Sequence, residues 1–159
     1  MNVNTLERPV KNTNSYTLNA ELKELITSGI VNFYSKKEAN SFKSFWDGEK
    51  LTIPVYGIYK ISWGFQQNSL DTFYKEIKSE LRLVINDEKQ EEKVEITKIT
   101  HSLHAVKSCG KEITFLFREG DTLHLDAVFF NTENLNMKNV YLQVDKLNIE
   151  DDNVFGYEN

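Results

Sequence analysis

From Tyr16 onward the chain places apolar residues at every second position, in short runs broken by turn residues. "GIYKISWGFQ", residues 57–66, is the clearest case. Tyr59, Ile61, Trp63 and Phe65 fall on one side, and Lys60, Ser62, Gly64 and Gln66 on the other. A period of two is the signature of a strand with one buried face. The pattern recurs in "ELRLVIND", with Leu81, Leu83 and Ile85 on one face. It recurs again in "KEITFLFREGDTLHLDAVFFN", which splits at Glu119-Gly120-Asp121. That split yields two strands, with Phe115 and Phe117 inward on the first and Leu123, Leu125, Ala127 and Phe129 inward on the second. "NVYLQVDKLNI" closes the set, with Val140, Leu142 and Val144 inward and Tyr141, Gln143 and Asp145 outward.

The remaining segments fill in around these. "SYTLNAEL" alternates as a strand, although Leu18, Leu22 and Leu25 also suit a short helix. "SGIVNFYS" reads as a strand after a glycine turn, and Asp47-Gly48 as a tight turn. "NSLDTFYKEIKSE" reads as a polar connection, and "EKVEITKITHSLHAV" as extended chain rich in β-branched residues. Many short alternating strands with almost no amphipathic helix predict an all-β, antiparallel two-sheet sandwich or barrel. The expected organisation is a flexible N-terminal arm over 1–15, one domain over 16–149 and an acidic tail over 150–159. At 159 residues one domain has enough chain for a sizeable core.

Composition narrows the function classes. The net charge of −5 offers no basic excess for phosphates, so no nucleic-acid partner is expected. No run reaches the length of a membrane span, and no charged, apolar, small-residue leader opens the chain. Cys109 is the single cysteine, so no intrachain disulfide can form. Heavy Asn, Lys, Glu and Ile usage suggests a bacterial or phage protein.

Three segments in order carry a resemblance. "PVYGIYKIS" is similar to the aliphatic-proline-x-x-Gly-x-Tyr-x-aliphatic-Ser segment of complement one-q globular domains and tumour necrosis factors. "FLFREGDTLHL" resembles their segment around Gly-Asp-x-Leu-x-Leu, and "VYLQVDKL" their closing strand. The resemblance runs from about Tyr16 to Leu147. It implies a jelly roll that assembles as a homotrimer about a threefold axis and acts as a binding, signalling or surface module without catalysis or cofactor. It also implies that the outward residues of two strands, with one from a third, face that axis: Lys60, Ser62, Gln66, Leu116, Tyr141, Gln143 and Asp145. Lys60 is then the partner expected for Asp145.

Chemistry-bearing residues are few. His101 and His104 are spaced by three, which puts them on opposite faces of a strand; a zinc site would need His124 or another ligand from elsewhere. Cys109 before Gly110 reads as a free thiol in a loop, and a nucleophile role would need His101 or His104 beside it in space. Asp87, Glu88, Glu91 and Glu92, and separately Asp151 and Asp152, lack the spacing of a calcium loop. Phe129 and Phe130 are adjacent, and Phe155 and Tyr157 lie in the tail; they are either a contact patch or packing. The expected function is a non-catalytic homotrimeric module of a bacterial surface, spore or phage assembly that recognises a protein or glycan. The alternatives are a monomeric carbohydrate-binding module or small sandwich enzyme with a loop site, and a secreted toxin or virulence component.

Overall fold

The computed structural model describes residues 16–34, 41–68, 76–97, 106–129 and 137–148. The expected arm and acidic tail therefore lie outside the described residues, as do His101, His104, Phe130, Asp151, Asp152, Phe155 and Tyr157. Among the described residues nine strands run in chain order: β1 Thr17–Leu25, β2 Gly29–Ile30, β3 Leu51–Thr52, β4 Gly57–Asn68, β5 Glu76–Ile85, β6 Glu88–Thr97, β7 Val106–Phe117, β8 Thr122–Phe129 and β9 Met137–Lys146. All pairings are antiparallel.

One sheet has the order β1-β9-β4-β7; the other has β2-β8-β5-β6, with β3 also on β8. Only the β5–β6 connection joins neighbours in one sheet. From β1 to β2, β3 to β4, β4 to β5, β6 to β7, β7 to β8 and β8 to β9 the chain crosses between sheets. That alternation makes the sandwich a jelly roll.

The core fills the space between the sheets. Leu18 and Ala20 of β1, Tyr59, Ile61, Trp63 and Phe65 of β4, and Val140, Leu142 and Val144 of β9 line it from one side. Leu81, Leu83 and Ile85 of β5 with Leu123, Leu125, Ala127 and Phe129 of β8 line it from the other. Phe117 is fully buried, while Phe115 is partly buried against the same cluster. Two hydrogen bonds tie the sheets together through this interior. The Trp63 indole N–H donates to the Leu81 carbonyl at 3.1 Å, and the Ser79 hydroxyl donates to Gln67 Oε1. Tyr59 keeps its phenol satisfied by donating to the Val55 carbonyl at 2.8 Å. Burial pushes that phenol up to about 12, against the lowering effect of the hydrogen bond.

The turns explain two sequence signals. Asp47 Oδ1 accepts from the backbone of Glu49 and Lys50, both at 2.8 Å, which closes the Asp47-Gly48 turn. At the other end, Asp121 Oδ2 accepts from Arg118 N at 2.7 Å and its Oδ1 from Asn86 Nδ2 at 3.0 Å. Asn86 Oδ1 in turn accepts from Thr122 N at 2.9 Å. The Gly-Asp pair thus closes its own turn, with Gly120 at φ 94, and holds the neighbouring β5–β6 hairpin. That hairpin turns on Asn86 (φ 48) and Asp87 (φ 74). Positive φ at both central residues is the geometry for which Asn-Gly is preferred. Asp87→Gly is therefore expected to stabilise the fold by about 0.5–1 kcal/mol. A thermal melt should show a Tm rise of roughly 2–3 °C; a fall would refute the assignment of strain to this turn.

Four expectations need correction. β1 is a strand along all nine of its residues, so neither the helix nor a strand limited to its first half applies. "SGIVNFYS" supplies only the two-residue β2: Val31 still donates its backbone N–H to the Leu125 carbonyl at 3.0 Å, but by Phe33 the backbone has moved to the Asp47-Gly48 turn, donating to the Gly48 carbonyl at 2.8 Å. Glu76–Glu80 belong to β5 rather than to a connection. Cys109 and Gly110 are not a loop: both lie inside β7, where Cys109 pairs with Phe65 and Gly110 with Gly64.

Candidate functional site

The outward face of the β1-β9-β4-β7 sheet holds the seven residues expected at a threefold axis. Register brings them together. Lys60 lies opposite Asp145, Ser62 opposite Gln143, and Gly64 opposite Tyr141. On the other side of β4, Ile58 lies opposite Leu116, and Gln66 opposite Ser108. All of these alternate with core residues of the same strands, so the pleat alone aims them outward.

The face has two unlike ends. At the start of β4 it is apolar: Leu116, 51% exposed, lies opposite the half-buried Ile58, and the bend just before the strand exposes Tyr56 (65%) and Val55 (36%). Near Lys60 it becomes charged. No ion pair within 4.0 Å joins Lys60 to Asp145; the Asp145 carboxylate instead accepts the Thr17 hydroxyl at 2.5 Å within the same chain.

The far end is a polar groove of about 690 Å³, lined by Glu21, Leu22 and Lys23 of β1, Ser62 of β4, Glu112 of β7, and Asn139, Tyr141 and Gln143 of β9. A second hollow of about 350 Å³ continues from it past Asn139 and Tyr141 to Gln66, Ser108 and Gly110. Two backbone features shape this end. First, Gly64 and Gly110 are cross-strand partners, and the Tyr141 hydroxyl lies over both. A Cβ on Gly64 would meet that oxygen at 2.7 Å, and one on Gly110 would meet it at 2.6 Å. The Tyr141 side chain therefore lies along the sheet surface, reaching from β9 across β4 toward β7. Second, β9 carries one residue more than β4 between the pairs Gly64–Tyr141 and Gln66–Lys138. Asn139, at φ 52, takes up the bulge. Its side chain is thereby turned onto the face, where Nδ2 donates to Gln66 Oε1 at 2.6 Å. Gln66 Nε2 passes the chain to Ser108 Oγ at 3.4 Å, and Ser62 Oγ donates to Glu112 Oε1 at 3.2 Å. Burial raises the Tyr141 phenol above its ordinary range, and Glu92, Cys109 and Glu112 push the same way.

Ser62, Gln66, Tyr141 and Gln143 are thus collected at the groove, while Leu116, Lys60 and Asp145 lie toward the apolar end. Glu21, Lys23, Ser108, Glu112 and Asn139 escaped the sequence reading. Their strands are distant in sequence, and only the register places them beside Tyr141. Two interior-strand glycines facing one tyrosine were the available signal.

The other candidates stay apart. Among the described residues no group of three or more His, Cys, Asp or Glu is placed to hold a metal ion. His124 lies on the opposite sheet, outward on β8 across from Val84. Burial lowers its pKa, with Lys50 adding to the effect while Asp126, Asp87 and Glu49 oppose it. The Cys109 thiol donates to Glu92 Oε2 at 2.8 Å and to the Lys93 carbonyl at 3.3 Å, packed between the sheet edges. Asp87, Glu88 and Glu91 are exposed along the β5–β6 hairpin, and Glu92 faces inward toward Cys109. No helix among the described residues is long and apolar enough to cross a membrane.

No family model matches the chain, and no curated protein matches it. Among solved structures it is similar to the globular domain of zebrafish complement 1qA protein, at 11% identity and a TM-score of 0.49 over 86% of this chain and 97% of that one.

Proposed function

We propose that this chain is a non-catalytic jelly-roll module that assembles as a homotrimer and recognises a protein or glycan. The observation that carries the reading is the apolar end of the outward sheet face, where the exposed Leu116 lies opposite Ile58. Leu116 there, with Tyr56 and Val55 exposed in the bend before β4, offers apolar surface for a protein contact. The same surface on every copy can be covered by copies that meet about one symmetry axis. The number three comes from the resemblance of "PVYGIYKIS", "FLFREGDTLHL" and "VYLQVDKL" to a trimeric superfamily. On this reading the subunits meet at Ile58 and Leu116, with Lys60 and Asp145 at the margin of the contact. Asp145 is held by Thr17, so Lys60 is left to reach a neighbouring copy. A bacterial surface, a spore or a phage particle is the proposed setting, supported by composition.

Light scattering on a sizing column tests this. The expected mass is about three times 18.5 kDa. Leu116→Glu should reduce it to that of one chain while leaving the circular dichroism spectrum unchanged. Leu116 is half exposed in the subunit, and such surface changes alter stability by only about 0.5 kcal/mol. A parent chain that is monomeric at every concentration and salt would overturn the assembly.

A further inference from the structure

The polar end of the same face has a different chemistry, set by the glycine pair. Because Gly64 and Gly110 carry no side chains, Tyr141 can lie down on the backbone. Its hydroxyl end lies over the two glycines, and the side chain lines the groove. Around the ring stand planar hydrogen-bonding groups from separate strands. Asn139 and Gln143 come from β9, Gln66 from β4 and Glu112 from β7. Several are already fixed to one another: Asn139 to Gln66, Gln66 to Ser108, and Ser62 to Glu112. Fixing them in advance reduces the ordering cost of binding.

The lining selects among ligand classes. Among the described residues Lys23 is its one cation, against the carboxylates of Glu21 and Glu112, so a phosphate or sulfate would meet a net negative rim. Leu22 is the one aliphatic side chain among those residues, so an apolar peptide would bury polar groups without partners. A pyranose ring fits both parts. It offers a C–H face to an aromatic surface and a rim of hydroxyls that each donate and accept, which amides and carboxylates satisfy in pairs. The volume of about 690 Å³ lies within the ~300–1,000 Å³ of small-ligand sites. We propose that this groove binds a neutral saccharide, with Tyr141 as the stacking platform and Gln143, Asn139 and Glu112 as hydroxyl partners. This deepens the recognition half of the function proposed above by naming the ligand class, and it requires the Tyr141 end of the face to stay open to solvent. Ser62, the groove residue on β4, is four residues from Ile58, roughly 13 Å at strand rise, so a contact that stops at Lys60 leaves the groove free.

Saturation-transfer NMR of the full chain tests it. The probes are glucose, galactose, mannose, fucose, N-acetylglucosamine and N-acetylgalactosamine at millimolar concentration. At least one is expected to receive saturation, concentrated on the ring protons of one face. Tyr141→Ala should abolish that signal, and the exposed Gln143→Ala should weaken binding by about tenfold with the melting curve unchanged. No transfer to any of the six sugars would overturn the proposal, as would transfer that survives both substitutions. Gln143→Ala carries the test should Tyr141→Ala fold poorly. The sizing-column mass reads the assembly independently: a monomer that binds sugar sinks the trimer and leaves the groove standing, and a trimer that binds none does the reverse.

Discussion

Gly64→Ala is expected to cost the fold about 3 kcal/mol or more, at the upper end of overpacking penalties. The reason is what the added methyl would meet. The Cys109 carbonyl oxygen would be 2.5 Å away and Gly110 Cα 2.9 Å, and both are backbone of the neighbouring strand. Neither can withdraw without opening the β4–β7 ladder. Gly110→Ala is the informative contrast. Its methyl would meet the Tyr141 hydroxyl at 2.6 Å, with the Trp63 carbonyl next at 3.4 Å. A tyrosine side chain can swing, so the cost there should be about 1 kcal/mol, near the centre of the distribution for single substitutions. Urea denaturation of the two variants should separate them clearly; equal losses would show that the tyrosine and the backbone do not differ in the way described.

The second large effect belongs to Trp63. Its indole is fully buried in β4 and crosses the core to donate to the Leu81 carbonyl of the facing sheet. Trp63→Ala removes the packing and the tie together. The packing alone is worth about 3–5 kcal/mol for a buried aromatic. Set against a typical total of roughly 5–15 kcal/mol, that places the variant at the edge of folding at 37 °C. Trp63→Phe retains most of the ring contact and loses the donor, so it should cost much less than the alanine. A Phe variant as damaged as the Ala variant would mean that the hydrogen bond, and not the ring, is what β4 depends on.

Much of this architecture was legible because the pleat writes itself into the sequence. Tyr59, Ile61, Trp63 and Phe65 alternate without a break, and all four are buried. The Glu119-Gly120-Asp121 turn was visible from its residue types, and the structure adds why aspartate suits it: both carboxylate oxygens are in use. What stayed hidden depended on partners far along the chain. Gly110 looked like a strand breaker because its local propensity is poor. It sits inside β7 because Tyr141, thirty-one positions on, covers the hole that it leaves. The Asn139 bulge is equally non-local, since it exists only relative to β4. Glu21 and Lys23 join the groove through pairing with the last strand, which no window of neighbouring residues contains. Conversely, the facing of Lys60 and Asp145 was anticipated from the resemblance, but Thr17 as the actual partner of Asp145 was not.

The pairing of β1 with β9 also has a kinetic side. Thr17 lies opposite Asp145 and Leu25 opposite Met137, so among the described residues the first strand has its one ladder partner in the last. Closing such distant segments makes the fold slow, in the millisecond-to-second range of sandwiches dominated by non-local contacts. On a ribosome the sheet that carries the groove cannot be completed until β9 has been made and has cleared the exit tunnel. Leu18 and Ala20 would spend that interval without the neighbours that later bury them, and the nascent chain would depend on being shielded until β9 arrives.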